Sequence, residues 1–387
     1  MNRTGKATLV SLVLITVLVV PGFFVAVPMG RANAAASWTY ALYVDGVNSL
    51  APDWAKYTLP ALQKIPANSQ VNIVAMVALK GASNVLVEKI SGSSVTVVET
   101  DLVMDMGSGA TLTWWIDKYT TLFPSTYNAL LLWDHGWGWQ YICTDDVTGH
   151  SIDMPSLQSA ITNAGNRIDV LAFDACNMAM DEVAYQVSKT NLVSYMVASE
   201  EYEGAVGIPE DVTLTPLVNN PAMLPRDFAI NMVNAYQQYY QPKNGQQKMT
   251  MAAFDVAQVG ATIGTFTAWT TRMNALLPSY KSYYTSALRG GHTMSTTYYT
   301  DMGSYMNRLL VTSGVTDTTL RTATQNVQAS MGAFVIKFWG GTTMTDCNGI
   351  TFYWPNGNTW KTTKAAYMLT AFAVDTGWGN FLNAYIG

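Results

Sequence analysis

Charge is scarce in this chain. Its 387 residues include 21 Lys and Arg and 26 Asp and Glu, so charged residues make up 12%, against roughly 25% in an ordinary soluble domain. That scarcity excludes a charge-rich coiled coil and a disordered tail. The 49% hydrophobic content, with 12 Trp and 21 Tyr, supplies material for a sizeable core instead. Positive charge is scarcer still, with a net charge of −5, which argues against nucleic acid as a partner because that affinity comes from clustered Lys and Arg. Cysteine is also rare. Cys143, Cys176 and Cys347 are too few for a disulfide scaffold, and an odd number leaves at least one thiol over. Cys143 and Cys347 could form one disulfide outside the cytoplasm, leaving Cys176 free. Of the three histidines, His150 and His292 lie in polar, Gly-containing loops with no His or Cys at metal-ligand spacing, so no metal site is assigned.

Long apolar runs are absent except at the start. Arg3 and Lys6 precede an uncharged stretch from Ala7 to Gly30, followed by the small-residue sites Ala32-Asn33-Ala34 and Ala34-Ala35-Ala36. This pattern reads as an export signal over residues 1–34, cut near Ala34 to Ala36. Its length would also serve an uncleaved membrane anchor, but Pro21, Gly22 and Pro28 make it a poor permanent helix. The expectation is a secreted or cell-surface protein whose mature form has no membrane segment. Removing the signal takes away Arg3, Lys6 and Arg31 and leaves 18 bases against 26 acids, a net charge of −8.

From Ser37 onward, apolar strand-like runs alternate with helical stretches. Trp38 to Val44, Val71 to Leu79, Ala129 to Trp133, Ile168 to Phe173 and Val193 to Ala198 read as core strands. A hairpin is expected at Val85 to Glu88 and Val95 to Glu99. Helical spacing runs through Leu50 to Leu62, Thr111 to Phe123, Ser156 to Ala164 and Met178 to Ser188. Such alternation predicts an α/β fold with a largely parallel sheet. Beyond the polar break at Gln241 to Gln247 the pattern is less regular: strands at 251–256, 333–339 and 349–354, and helices at 228–239, 258–277 and 301–310. We expect a catalytic core over 37–245 and a C-terminal α+β extension, 246–387, packed on it.

One Cys/His pair stands out. His135 follows the run Ala129 to Trp133, and Cys176 follows the run Ile168 to Phe173. In an open α/β sheet chemistry sits outside the carboxyl ends of the strands, and both residues occupy that position on consecutive core strands. Cys176 also stands where a strand turns toward a helix beginning near Met178, and a helix N-terminus lowers a thiol's pKa. A neighbouring imidazole would complete the activation. The N–H groups of Gly136 and Cys176 could line an oxyanion hole.

Several short motifs then point the same way. Leu132-Trp-Asp-His-Gly-Trp-Gly-Trp139, Asp174-Ala-Cys-Asn-Met178 with Glu182-Val-Ala-Tyr185, and Val197-Ala-Ser-Glu-Glu201 resemble the clostripain family of cysteine peptidases, within the caspase, legumain and gingipain group. The resemblance continues through Leu42-Tyr-Val-Asp-Gly-Val-Asn48, Tyr299-Thr-Asp-Met-Gly303 and Gly349-Ile-Thr-Phe-Tyr-Trp-Pro355. It implies a caspase-like sheet flanked by helices, Cys176 as nucleophile and His135 as general acid and base.

Specificity rests on acids near the nucleophile. Asp174 lies two residues before Cys176 and shares its face if the strand continues. An unpaired carboxylate there would oppose thiolate formation, so it reads as the receptor for a cationic substrate group. The resemblance implies the same, placing the matching Asp at the base of a pocket for Arg or Lys. Glu201 and Glu203, in a loop expected to reach the same rim, are further substrate-binding candidates. Partners would then be proteins or peptides with basic residues. Some relatives require calcium, and Asp145-Asp146 could supply oxygen ligands, although these acids read more simply as exposed turn residues. Two departures from the family are noted. Trp137 and Trp139 follow His-Gly and could narrow the cleft, and the segment from Gly136 to Asn166 contains no Lys or Arg, so self-cleavage after a basic residue is not expected there. The alternatives are a metal-assisted hydrolase using Asp134, His135 and Asp174, and a binding protein that keeps the fold without turnover.

Overall fold

The computed structural model describes residues 35–387, with the exception of Asn244; the expected export segment lies outside the described residues. Among these, no helix is long and apolar enough to cross a membrane. Thirteen strands follow in chain order: β1 (Ala36–Gly46), β2 (Val71–Leu79), β3 (Val85–Ser91), β4 (Ser94–Leu102), β5 (Ser125–Trp133), β6 (Ile142–Asp145), β7 (His150–Ile152), β8 (Ile168–Asp174), β9 (Val193–Ala198), β10 (Thr250–Asp255), β11 (Tyr299–Asp301), β12 (Val335–Gly340) and β13 (Thr351–Tyr353).

Nine of them form one sheet in the order β12-β10-β9-β8-β5-β1-β2-β3-β4. The central strands β2, β1, β5, β8 and β9 are parallel, and β3, β4, β10 and β12 join with antiparallel pairings at the two sides. The result is the expected α/β sheet flanked by helices. β10 and β12 place the chain after residue 246 in the same sheet, and residues 35–387 form one compact unit.

The central strands are apolar on both faces because helices cover both. Ala41, Tyr43, Leu130, Leu132, Leu171 and Phe173 enter one core, and Tyr40, Leu42, Leu131, Trp133, Val170 and Ala172 enter the other. This strict alternation is the two-residue period of a strand. The second face carries Phe228, Met232, Tyr236 and Tyr240 of the helix Pro225–Tyr240. Asp174 shares the parity of Val170 and Ala172, so its side chain belongs to this face.

One boundary differs where it matters. The helix expected from Met178 begins at Asp181, with Met180 as its extended N-cap. Asn177 adopts a left-handed φ of 61°, and the backbone from Asn177 to Met180 pairs with other segments instead: Ala179 N–H donates to the Ser199 carbonyl (2.9 Å) and Met180 bridges Thr351. Cys176 is therefore not at a helix N-terminus, and no helix end lowers its pKa.

Candidate active site

Strand register brings the two chemical residues level. β5 and β8 pair in parallel with Trp133 opposite Asp174, and Asp134 N–H donates to the Asp174 carbonyl at 3.3 Å. His135 and Cys176 each stand two residues past that last pair. Their segments touch: a Cβ on Gly136 would lie 2.4 Å from the Cys176 carbonyl oxygen and 3.0 Å from the Ala175 methyl. Only glycine permits this approach. Among the described residues, no acceptor meets the backbone N–H of Gly136 or of Cys176. The strand order reverses between β1 and β5, since the chain leaves β1 for β2 on one side and runs from β5 to β8 on the other, so His135 borders the point where α/β sheets open a crevice.

His135 is half-buried, and its Nε2 lies 2.9 Å from Ser49 Oγ, beyond the end of β1. Burial lowers the imidazole pKa, so the ring is neutral near pH 7. The Cys176 thiol is also largely shielded. Burial pushes it up to about 12, the negative charges of Glu203, Asp174 and Glu201 add to the shift, and the Glu203 N–H, 3.4 Å from Sγ, opposes it. The resting pair is thus thiol and neutral imidazole rather than thiolate and imidazolium.

Next to the thiol lies a buried acidic nest. Asp174 is 6% exposed, and its Oδ1 accepts from Ile208 N–H at 3.0 Å while Oδ2 has no partner. Gly207 is bound to be glycine here: its φ is +61° and a Cβ would fall 2.0 Å from Asp174 Oδ1. Glu203 turns its carboxyl inward, where neither oxygen meets a donor. Desolvation and mutual repulsion raise Glu203, and desolvation raises Asp174, so this pair holds a proton near neutrality. Glu210, also raised by burial, accepts from Tyr40 Oη at 3.1 and 3.0 Å. None of the charges acting on these three carboxyls is a Lys or Arg.

Glu201 sits differently. Its two oxygens accept from Ser295 N–H at 3.1 and 2.7 Å, and its own carbonyl accepts from Asn177 N–H. Asn177 also donates Nδ2 to the Glu200 carbonyl at 2.8 Å and accepts from Thr296 Oγ1 at 3.1 Å. The residue after the thiol thereby fixes the 200–201 segment and the 295–296 loop. Of the two tryptophans, Trp137 is 44% exposed beside the site, while Trp139 is core, with its ring centroid 5.0 Å from Tyr353 and 4.8 Å from Tyr367.

The acids proposed for metal chemistry are occupied elsewhere. Asp134 accepts from Asn48 Nδ2 and Thr144 N–H, both at 2.5 Å, so among the described residues Asp134, His135 and Asp174 do not converge on one point. Asp145 is buried rather than exposed, and accepts from Val147, Thr148 and Met106 N–H groups. Asp146 pairs with Lys80 at 2.8 Å. The two therefore do not present a joint set of calcium ligands. All three cysteines are free thiols, so Cys143 and Cys347 form no disulfide.

Sequence reasoning missed Ser49, Gly207 and Glu210. Ser49 carried a usable signal, because it follows β1 at the same sheet edge as His135. Gly207 and Glu210 carried none, since their roles depend on how the loop after β9 folds back over Asp174.

No curated protein sequence matches the chain. Among solved structures, an inactive zymogen C11 protease from Parabacteroides distasonis is similar with a TM-score of 0.69 at 19% identity, covering 89% of this chain and 99% of that one. A secreted C11 cysteine protease from Bacteroides thetaiotaomicron, in complex with an irreversible peptide inhibitor, is similar with a TM-score of 0.69 at 16% identity and the same coverage. At such identities the likeness is one of fold. The clostripain family profile, in contrast, matches residues 43–385, and the chain belongs to that family of cysteine peptidases.

Proposed function

We propose that this cysteine endopeptidase is exported and cleaves peptide bonds after Arg or Lys, with Cys176 and His135 as its dyad. The observation that carries the specificity is the nest of Asp174, Glu203 and Glu210, buried beside the thiol with no cation of its own. Uncompensated buried carboxyls are costly. A guanidinium or ammonium group entering there would release the shared proton and take up the charge.

His135 Nε2 lies 2.9 Å from Ser49 Oγ, and with the ring proton on Nε2 this contact leaves Nδ1 as the bare nitrogen for the chemistry. Nδ1 takes the Cys176 proton as sulfur attacks the substrate carbonyl carbon. The N–H groups of Gly136 and Cys176 receive the oxyanion. Collapse expels the new amine, which takes the proton from His135, and leaves a thioester on Cys176. Water, deprotonated by the same nitrogen, hydrolyses the thioester and restores the thiol. The substrate's positive charge also offsets the acids that hold the thiol neutral, so docking of the correct side chain eases the attack.

The test compares wild type, Cys176→Ala and Asp174→Asn on fluorogenic Arg, Lys and Asn peptides. Turnover after Arg and Lys that disappears in Cys176→Ala supports the reading. Equal activity in wild type and Cys176→Ala discards the thiol mechanism, and cleavage only after Asn discards the role of Asp174.

A further inference from the structure

Behind the segment that lines the thiol lies a second cluster that the peptidase chemistry does not use. Glu200 is fully buried, and neither of its carboxylate oxygens meets a hydrogen-bond donor. Across from it is Asp301, also fully buried and fixed from its own side: Oδ1 accepts from Ser304 N–H and Oδ2 from Asn348 N–H, both at 2.6 Å. The third member is the buried thiol of Cys347. One oxygen of each carboxyl and Sγ all lie within 4.8 Å of one another.

Two carboxyls sharing only a proton close to hydrogen-bond distance, roughly 2.5–2.7 Å. Glu200 and Asp301 are within that reach and share a proton when no cation is bound, and every charge acting on Glu200, Asp301 and Cys347 is that of another acid. Ligands at about 2.0–2.3 Å from a tetrahedral ion stand roughly 3.3–3.8 Å apart, inside the 4.8 Å that bounds these three atoms, so the cluster can close onto a cation. Burial and the neighbouring Asp301 push the Glu200 carboxyl up, as expected of an acid whose positive partner is missing from the protein itself. A thiol among the donors selects against the hard cations calcium and magnesium, which take oxygen ligands.

We infer that Glu200, Asp301 and Cys347 form a binding site for one thiophilic divalent cation of the zinc class. His292 stands on its outer side. Its Nδ1 lies 2.7 Å from Asp346 Oδ1, and one ring nitrogen of His292 and one carboxylate oxygen of Asp346 are within 4.8 Å of the Cys347 sulfur. Access is from the surface cavity of about 310 Å³ that Ser304, Arg308, Asp346, Cys347 and Asn348 line. The site ties Asp301 and Cys347, late in the chain, to a segment in which the Glu200 carbonyl accepts from Asn177 and the Glu203 N–H meets Cys176. It is a brace behind the nucleophile, independent of the reaction assigned to the nucleophile.

The test uses the full chain carrying Cys176→Ala, so that the active-site thiol cannot bind metal, freed of metal by chelator and titrated with cobalt(II) and then zinc. The expected result is one equivalent of cobalt with thiolate-to-metal charge-transfer absorption, displaced by zinc. Cys347→Ala added to this background removes the absorption, and Glu200→Gln weakens zinc binding at least about 10-fold. Glu200→Gln keeps the side-chain shape and decides the matter if Cys347→Ala does not fold. No charge-transfer band, or a band and zinc affinity unchanged in Glu200→Gln, overturns the assignment. Binding lost in His292→Ala but kept in Glu200→Gln moves the metal to the outer cluster and overturns it equally.

Discussion

The shielded thiol offers a quantitative test, because Cys176 is held at about 12 instead of 9.0. Three units correspond to about 4 kcal/mol of disfavour for the thiolate. Alkylation by iodoacetamide follows the thiolate fraction, so the rate on Cys176 at pH 7 should be roughly a thousandfold below that of an unperturbed cysteine. It should rise about tenfold per pH unit through pH 9 without a plateau. The acids add a second layer. Asp174 and Glu203 hold a proton between them, and their contact lowers Asp174 and raises Glu203, so Glu203 keeps the proton and Asp174 carries the charge. The single variant Glu203→Gln thus keeps one negative charge and changes alkylation less than about threefold. The double variant removes that charge and should speed alkylation roughly tenfold at pH 7, with burial still holding the thiol above its ordinary value. Turnover of Arg and Lys peptides should move the opposite way, falling on the order of 100-fold or more, because a buried cation loses its partner. The assay is pseudo-first-order alkylation from pH 6 to 9, with the site identified by peptide mass. A plateau with a midpoint below pH 8, or slower alkylation in the double variant, would refute the reasoning.

Other outcomes are fixed by single contacts. Ser49→Ala frees His135 Nε2 and should lower kcat about 3- to 10-fold with KM unchanged, while Ser49→Thr should restore it. Gly207→Ala forces a Cβ toward Asp174 at a left-handed φ; it should cost about 1–3 kcal/mol in thermal unfolding and reduce turnover of Arg and Lys peptides. Purified active enzyme should remain uncut between Gly136 and Asn166, where no Lys or Arg occurs; two fragments split in that segment on a denaturing gel would contradict the proposed specificity.

Much of the site was legible because strand parity and sheet edges are local properties. The runs ending at Trp133 and Phe173 fixed two adjacent parallel strands, and once these pair, His135 and Cys176 must stand level at the same edge. The helix start was misread because Asn177 turns with a left-handed φ, and long-range bonds to Ser199 and Thr351 keep the chain up to Met180 out of the helix. Trp139 looked like a cleft residue from its place after His-Gly, but aromatic partners more than 200 residues away, Tyr353 and Tyr367, draw it into the core.

The sequence by itself determined the sheet, the edge at which the proposed dyad stands and the family, since periodicity and contiguous motifs need no knowledge of distant contacts. It also marked Asp174 as unusual, because an acid beside a thiol nucleophile opposes its ionisation. Only the tertiary structure decided which acids join it. Glu203 turns inward to Asp174, Glu201 is held by Ser295, and Glu200 faces Asp301 and Cys347. These four consecutive positions include three glutamates with separate fates, because a loop's side-chain directions follow what packs against it and not a repeat in its own sequence.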